Sequence, residues 1–263
     1  MSFDRRKCFK SIVKNSGVDV ELITEENISN YIVKSDLLYK GFKLLSSTHK
    51  SAYLRPYFMK HHGGCYMDIK YLREDFNQYF DLLENSNKDF IGYQEHSSQY
   101  GVWTKDWSLK EKERLAGACR YIFKPNTKFA NLWYDKIIGY LNSIYPQLID
   151  NPGTYHQRAI PGGFGGGGGE KKVIDYDKYG HYPISWSRIF GRYLQETMYE
   201  NPKLYMFGLP YTFRIDPDWV PYRWVIELLK HYIPVLGVVI GKSMVKIGLN
   251  RLNYLIQNLI KYS

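Results

Sequence analysis

The sequence predicts an α/β protein, a three-layer sandwich with a mostly parallel central sheet over residues 1–220, followed by basic amphipathic helices over 221–263. Three observations carry this. Short apolar segments with strand character alternate with segments of helical period, the pattern of strands joined by crossover helices. Residues 127–149 put Phe129, Leu132, Trp133, Ile137, Tyr140, Leu141, Ile144, Tyr145 and Leu148 on one helical face. The composition, 44% hydrophobic and 24% charged over 263 residues, is globular and excludes a disordered, collagenous or coiled-coil chain. A chain of this length buries roughly three quarters of its unfolded surface and needs neither disulfide nor metal to hold a core.

The elements follow in order. Cys8, Phe9, Ile12 and Val13 recur at helical spacing, and Gly17 stands where a helix C-cap belongs. The segment 18–22 alternates apolar and acidic residues and reads as a strand. A helical pattern follows over 36–46, and another over 48–64, with Thr48 as a cap, Pro56 inside and Gly63-Gly64 as the stop. Residues 65–69 read as a short strand, 74–85 as a helix, and 89–95 and 119–124 as strands.

Two later segments differ. Residues 150–181 hold a five-glycine run, 165–169, read either as a mobile loop over a site or as a surface insertion. No strand precedes it and no Lys-Ser/Thr follows it, which excludes a nucleotide P-loop. Residues 221–263 carry a net charge of +5 among apolar residues. They fit two amphipathic helices, lying either on an anionic membrane surface or on the domain itself.

The whole chain carries a net charge of +10, which suggests an anionic partner. The basic residues are mostly dispersed lysines and the aromatics fall at core spacings, so nucleic acid is not expected. No apolar stretch reaches the roughly 18 residues of a spanning helix. The N-terminus lacks the apolar run of a signal peptide. Three cysteines, Cys8, Cys65 and Cys119, are odd in number and far apart, which points to a reducing compartment and away from a disulfide framework. The expected location is cytoplasmic, free or peripheral on the cytoplasmic face of a membrane.

One segment, 50–70, concentrates chemistry: KSAYLRPYFMKHHGGCYMDIK. A helix carrying Arg55 ends at a Gly pair, and a short strand then delivers Asp68 and Lys70 to its C-terminal edge. Ligands of α/β sheets bind at that edge. An aspartate there can hold a hard divalent cation against a diphosphate, and Arg55 can meet a phosphate or a sugar hydroxyl.

These residues resemble a GT-A-type glycosyltransferase family, the sugar-binding Asp-x-Asp group that includes yeast initiating mannosyltransferases, clostridial glucosylating toxins and bacterial capsular-polysaccharide enzymes. Its pattern is Ser-Asp-x-x-Arg, an apolar helix, then Gly-Gly-x-Tyr-x-Asp-x-Asp. Ser51, Arg55, Gly63, Gly64, Tyr66 and Asp68 match it, and the Asp-Ile-Lys ending at 68–70 matches one bacterial and viral branch. Gly92-Tyr93-x-Glu95, the stretch 115–127 before a helix with Trp133-Tyr134, and YPISW at 182–186 extend the resemblance from about residue 5 to about 200.

The resemblance implies a GT-A-like core and hexosyl transfer from a nucleotide sugar to a glycan or lipid-linked glycan, with retained anomeric configuration. It implies Mn²⁺ or Mg²⁺ on Asp68, and donor contacts from Ser51, Arg55, Gly63, Gly64 and Tyr66. Asp68, Lys70 and Glu95 are the catalytic candidates. Glu95 reads either as an acceptor-side carboxylate or as a solvated loop residue. His181, Ser185 and Trp186 belong to a segment that covers the donor diphosphate in this family, and Trp186 either stacks there or fills the core. Two departures stand out. Ala52 replaces the family's aspartate after Ser51, and Lys70 replaces the second motif aspartate. Together they leave open a second reading, a non-catalytic fold that binds a membrane or a polyanion.

Overall fold

A computed structural model describes residues 3–94, 114–153, 181–184, 188–210 and 235–241. Helix α1 (Phe3–Asn15) leads into strand β1 (Asp19–Thr24). Helix α2 (Ser47–His61) turns directly into β2 (Gly64–Met67), and α3 (Asn77–Glu84) precedes β3 (Phe90–Gln94). Then come β4 (Ala116–Phe123), α4 (Lys128–Ser143), α5 (Tyr145–Asp150), a π-helical turn (Arg188–Arg192), α6 (Tyr193–Glu200), β5 (Tyr205–Phe207) and β6 (Val235–Gly241).

The strands form one mixed sheet of order β1-β6-β2-β4-β3-β5. Every neighbouring pair is antiparallel except β3–β5. This corrects the mostly parallel expectation. Hydrophobic period identifies a strand but is silent on its neighbours, and alternation with helices does not by itself make a parallel crossover.

Strand side chains alternate between two buried clusters. Ile23, Tyr66, Phe90, Tyr121 and Phe123 join residues of α2, α4 and α6 in one. Cys65, Met67, Ile91, Tyr93 and Ile122 join Ile12 of α1 and Leu83 of α3 in the other. Helices therefore cover the sheet from both sides.

Three further readings are corrected. Residues 36–46 form turns and a short 3-10 segment, Phe42–Leu44, instead of an α-helix. The single helix expected over 127–149 is two, broken at Ile144, because Pro146 has no N–H to continue the ladder. The predicted tail is not all helix. Residues 235–241 are a strand inserted between β1 and β2, so a boundary at 220 does not separate them from the sheet. The rest of 221–263, like the glycine run, lies outside the described residues.

The turn from α2 into β2 needs its glycines. Gly63 and Gly64 have φ of +63° and +83°, where a side chain is strained. A Cβ on Gly63 would sit 2.7 Å from the backbone nitrogen of Pro125. The amides of His62 and Gly63 both bond the Phe58 carbonyl and close the helix end.

Candidate functional site

Asp68 follows the last residue of β2, and its amide donates to the Cys119 carbonyl at 2.8 Å. Three donors converge on its carboxylate. The Tyr66 hydroxyl donates to Oδ1 at 2.8 Å, Arg55 Nη2 lies 3.5 Å from Oδ1, and Lys70 Nζ lies 3.6 Å from Oδ2. Arg55 is only 5 % exposed. Its guanidinium stacks 4.1 Å above the Tyr66 ring, and Nη1 donates to the Ala118 carbonyl at 3.0 Å. The Tyr66 ring in turn stacks on Tyr121 at 5.5 Å.

The local shape of β4 makes this possible. Gly92 faces Tyr121, yet Gln94 faces Ala116, so β4 carries extra residues between two nearly adjacent positions of β3. Such a bulge re-aims backbone groups. The Ala118 carbonyl that meets Arg55 lies within it, while the Cys119 carbonyl reaches the Asp68 amide as the next step of the regular β2–β4 register.

The electrostatics follow from burial and charge. Burial alone would raise the Asp68 carboxyl. The charges of Lys70 and Arg55 and the Tyr66 hydroxyl outweigh it and hold Asp68 below its ordinary value of 3.8. Arg55 is held above its ordinary range, because Tyr66 and Asp68 outweigh the burial that would lower it. Burial, and then the Asp68 charge, push the Cys119 thiol up to about 11. Cys119 is therefore a neutral thiol near pH 7, 3.7 Å from Lys70 Nζ, and not a nucleophilic thiolate. Two cations against one carboxylate leave a local positive excess, which suits an anionic ligand.

The cluster does not fit a protein-built metal centre. Asp68 is its single carboxylate, three donors already occupy it, and no group of three metal-ligating side chains occurs among the described residues. A divalent cation would meet two positive side chains there.

The structure thus joins four of the residues read from the sequence: Arg55, Tyr66, Asp68 and Lys70. Gly63 and Gly64 shape the turn at the opposite end of β2. Ser51 lies one helical turn before Arg55 and is partly buried, and no described hydrogen bond joins it to the cluster. His181 is exposed beside Tyr182, whereas Glu95, Ser185 and Trp186 lie outside the described residues. Ala52 is fully buried in the core.

Other participants were not legible from the motif. Ala118, Cys119 and Tyr121 come from β4, whose bulge leaves no trace in hydrophobic period. Tyr182 docks on the start of α2: its hydroxyl lies 2.9 Å from His49 Nδ1 and accepts from the Ser46 amide at 3.2 Å, with its ring stacked on His49. Ser46 is the α2 N-cap, accepting from the His49 amide. A hydroxyl and a histidine at helix spacing carry no signal that a tyrosine from 133 positions later completes them.

Fold and site together define an α/β protein with a partly buried, cation-flanked aspartate at the end of a central strand. The capsular polysaccharide synthesis protein family matches residues 6–150, more than half of the chain, and the chain belongs to that family. The matched stretch contains all of Arg55, Tyr66, Asp68, Lys70 and the β4 bulge. No curated protein and no solved structure matches the chain significantly.

Proposed function

We propose that this member of the capsular polysaccharide synthesis family is a nucleotide-sugar-dependent glycosyltransferase with a GT-A-like core, moving a hexosyl group to a glycan or lipid-linked glycan with retention. The observation that supports this is the Arg55–Tyr66–Asp68–Lys70 constellation at the end of β2. Its positive excess suits the diphosphate of a donor.

In this reading Arg55 is a positioning residue. Its Nη1 is engaged by the Ala118 carbonyl and its Nη2 faces Asp68, and at 5 % exposure it fixes the carboxylate instead of reaching ligand. Asp68, held ionised, accepts a donor hydroxyl. Lys70, whose side chain is 27 % exposed, meets the diphosphate and neutralises the charge that develops as the nucleoside diphosphate departs. Lysine occupies the place of the second motif aspartate, so the ammonium supplies the charge otherwise drawn from Mn²⁺ or Mg²⁺.

A second reading rests on Ala52. The family's aspartate is absent at a position sealed in the core, which fits a fold that has lost donor chemistry. Incubation with a panel of nucleoside diphosphate sugars, with and without Mn²⁺, separates the two. Release of nucleoside diphosphate, lost in Lys70→Ala, supports transfer; no release and no thermal shift with any donor refutes it.

A further inference from the structure

Helix α1 divides cleanly into two faces. Ile12 is fully buried and Ser11 nearly so. On the opposite arc Phe3, Arg6, Lys7, Lys10, Val13 and Lys14 are all exposed, at the spacing that places them side by side. Four of the six are cations, and none is acidic. Apolar residues stand at both ends, Phe3 63 % and Val13 52 % exposed, roughly 15 Å apart at the helical rise. Lys7 Nζ rests 4.4 Å from the Phe3 ring centroid.

The segment that follows the candidate site packs against α1. Tyr71 and Arg73 are exposed on either side of the buried Leu72, with the Arg73 guanidinium 5.6 Å from the Tyr71 ring centroid. Leu72 is tied to α1 from both directions. Its amide donates to Ser11 Oγ at 3.0 Å, and its carbonyl accepts from Asn15 Nδ2 at 2.6 Å. Leu72 lies two residues beyond Lys70, so the α1 face is fixed to the backbone of the site.

We infer that this face docks the protein on an anionic lipid bilayer. The charge selects an anionic partner. The apolar residues select a bilayer over a soluble polyanion. Exposed Phe, Val and Tyr gain by entering the headgroup region, where lysine stems extend along the apolar layer with their ammonium groups outside. A hydrated polyanion chain offers Val13 and Phe3 no apolar layer to enter. Docking through α1 holds Asp68 and Lys70 beside the membrane. It places a membrane contact in the described N-terminal helix.

Flotation of the full chain with phosphatidylglycerol–phosphatidylcholine vesicles at low salt tests this. The wild type floats with these vesicles and not with pure phosphatidylcholine. Lys7→Glu/Lys10→Glu, two exposed changes, lowers the partition coefficient by about a hundredfold or more. Phe3→Ser/Val13→Ser lowers it by about tenfold, with circular dichroism unchanged in both. Unchanged flotation of the charge-reversed variant, or failure of the wild type to float, overturns the proposal. So does full flotation of the Phe3→Ser/Val13→Ser variant together with displacement by dextran sulfate, which would make the face a polyanion site. Donor turnover on a soluble acceptor analogue, measured alongside, keeps the outcomes separate: a wild type that turns over donor but does not float refutes docking alone, and a wild type that floats without turnover refutes only the transferase reading.

Discussion

Asp68 carries charge that the fold has already matched, and this fixes what its replacement does. Asp68→Asn keeps the shape and one acceptor oxygen but replaces the other by an NH₂ donor and removes the counter-charge to Arg55 and Lys70. Turnover is expected to fall by about 10²-fold, the scale of one lost transition-state stabiliser; wild-type kcat in that variant would take Asp68 out of the mechanism. The same residue sets an acid limit. A carboxyl held below its ordinary 3.8 stabilises the fold above that value and loses this contribution as pH falls through its lowered value. The Tm difference between wild type and Asp68→Asn is therefore full near pH 7 and shrinks below about pH 4; a constant difference across that range would show that the charge is not what stabilises. Ala52 reverses an expectation drawn from the motif. Restoring aspartate beside Arg55 looks favourable in sequence, but Ala52 is fully buried and Arg55 is already committed to Asp68 and Ala118. Ala52→Asp should cost about 3 kcal/mol, a fall of roughly 6–12 °C in Tm, without tightening donor binding. An unchanged Tm with a larger donor-induced shift would mean Arg55 swings to the new carboxylate. The motif gave the identity of Arg55, Tyr66, Asp68 and Lys70, because spacing along α2 and β2 is local. It was blind to the burial of Ala52 and to β4, because those depend on what packs from elsewhere.

At the scale of elements, local signals served where local physics decides. Helix α2 was legible in its apolar interior and in the Gly pair at its stop, although Ser46 and not the expected Thr48 caps it. The strand that follows was equally plain, since Gly63 and Gly64 permit only a tight reversal there. Gly63→Ala is expected to destabilise by about 2 kcal/mol, from strain at positive φ and the clash with Pro125, read as a lower urea midpoint at constant m-value. A midpoint shift under about a quarter of that would mean the turn relaxes freely. Where neighbours decide, the sequence misled. Leu38, Tyr39, Phe42 and Leu45 have helical spacing, yet Tyr39 is drawn aside to donate its hydroxyl to the Leu141 carbonyl, and its amide bonds the Tyr53 hydroxyl. Strand β4 begins three residues earlier than its aromatic run suggests, because Ala116, Gly117 and Ala118 have little strand preference of their own. They are held by β3, with the Tyr93 ring lying where a Cβ of residue 117 would be.

At the scale of the whole molecule, the proposed function exchanges one charge device for another, a lysine for a metal ion. If Lys70 serves in place of a cation, EDTA should leave donor turnover within about twofold, while Lys70→Ala loses about 10²-fold or more and is not restored by added Mn²⁺. Loss of activity in EDTA with recovery in Mn²⁺ would return a metal to the reaction. The hydrophobic segment 233–241 teaches the other lesson of this scale. A short continuous apolar run is compatible with a buried strand or a buried helix, and only its partners decide. Those partners are β1 and β2, more than 160 residues earlier in the chain. That distance has a consequence for biosynthesis. Until residues 235–241 have left the ribosome, β1 and β2 each present an open edge and Asp68 hangs on a sheet cut in two. The nascent chain must wait for a closing strand made more than 160 residues after β2, a contact of high sequence separation that slows folding and leaves unpaired edges exposed. A protein stopped before residue 235 should accumulate as insoluble material or as a chaperone client, while the full-length chain, released as one piece, zips its sheet shut from the middle.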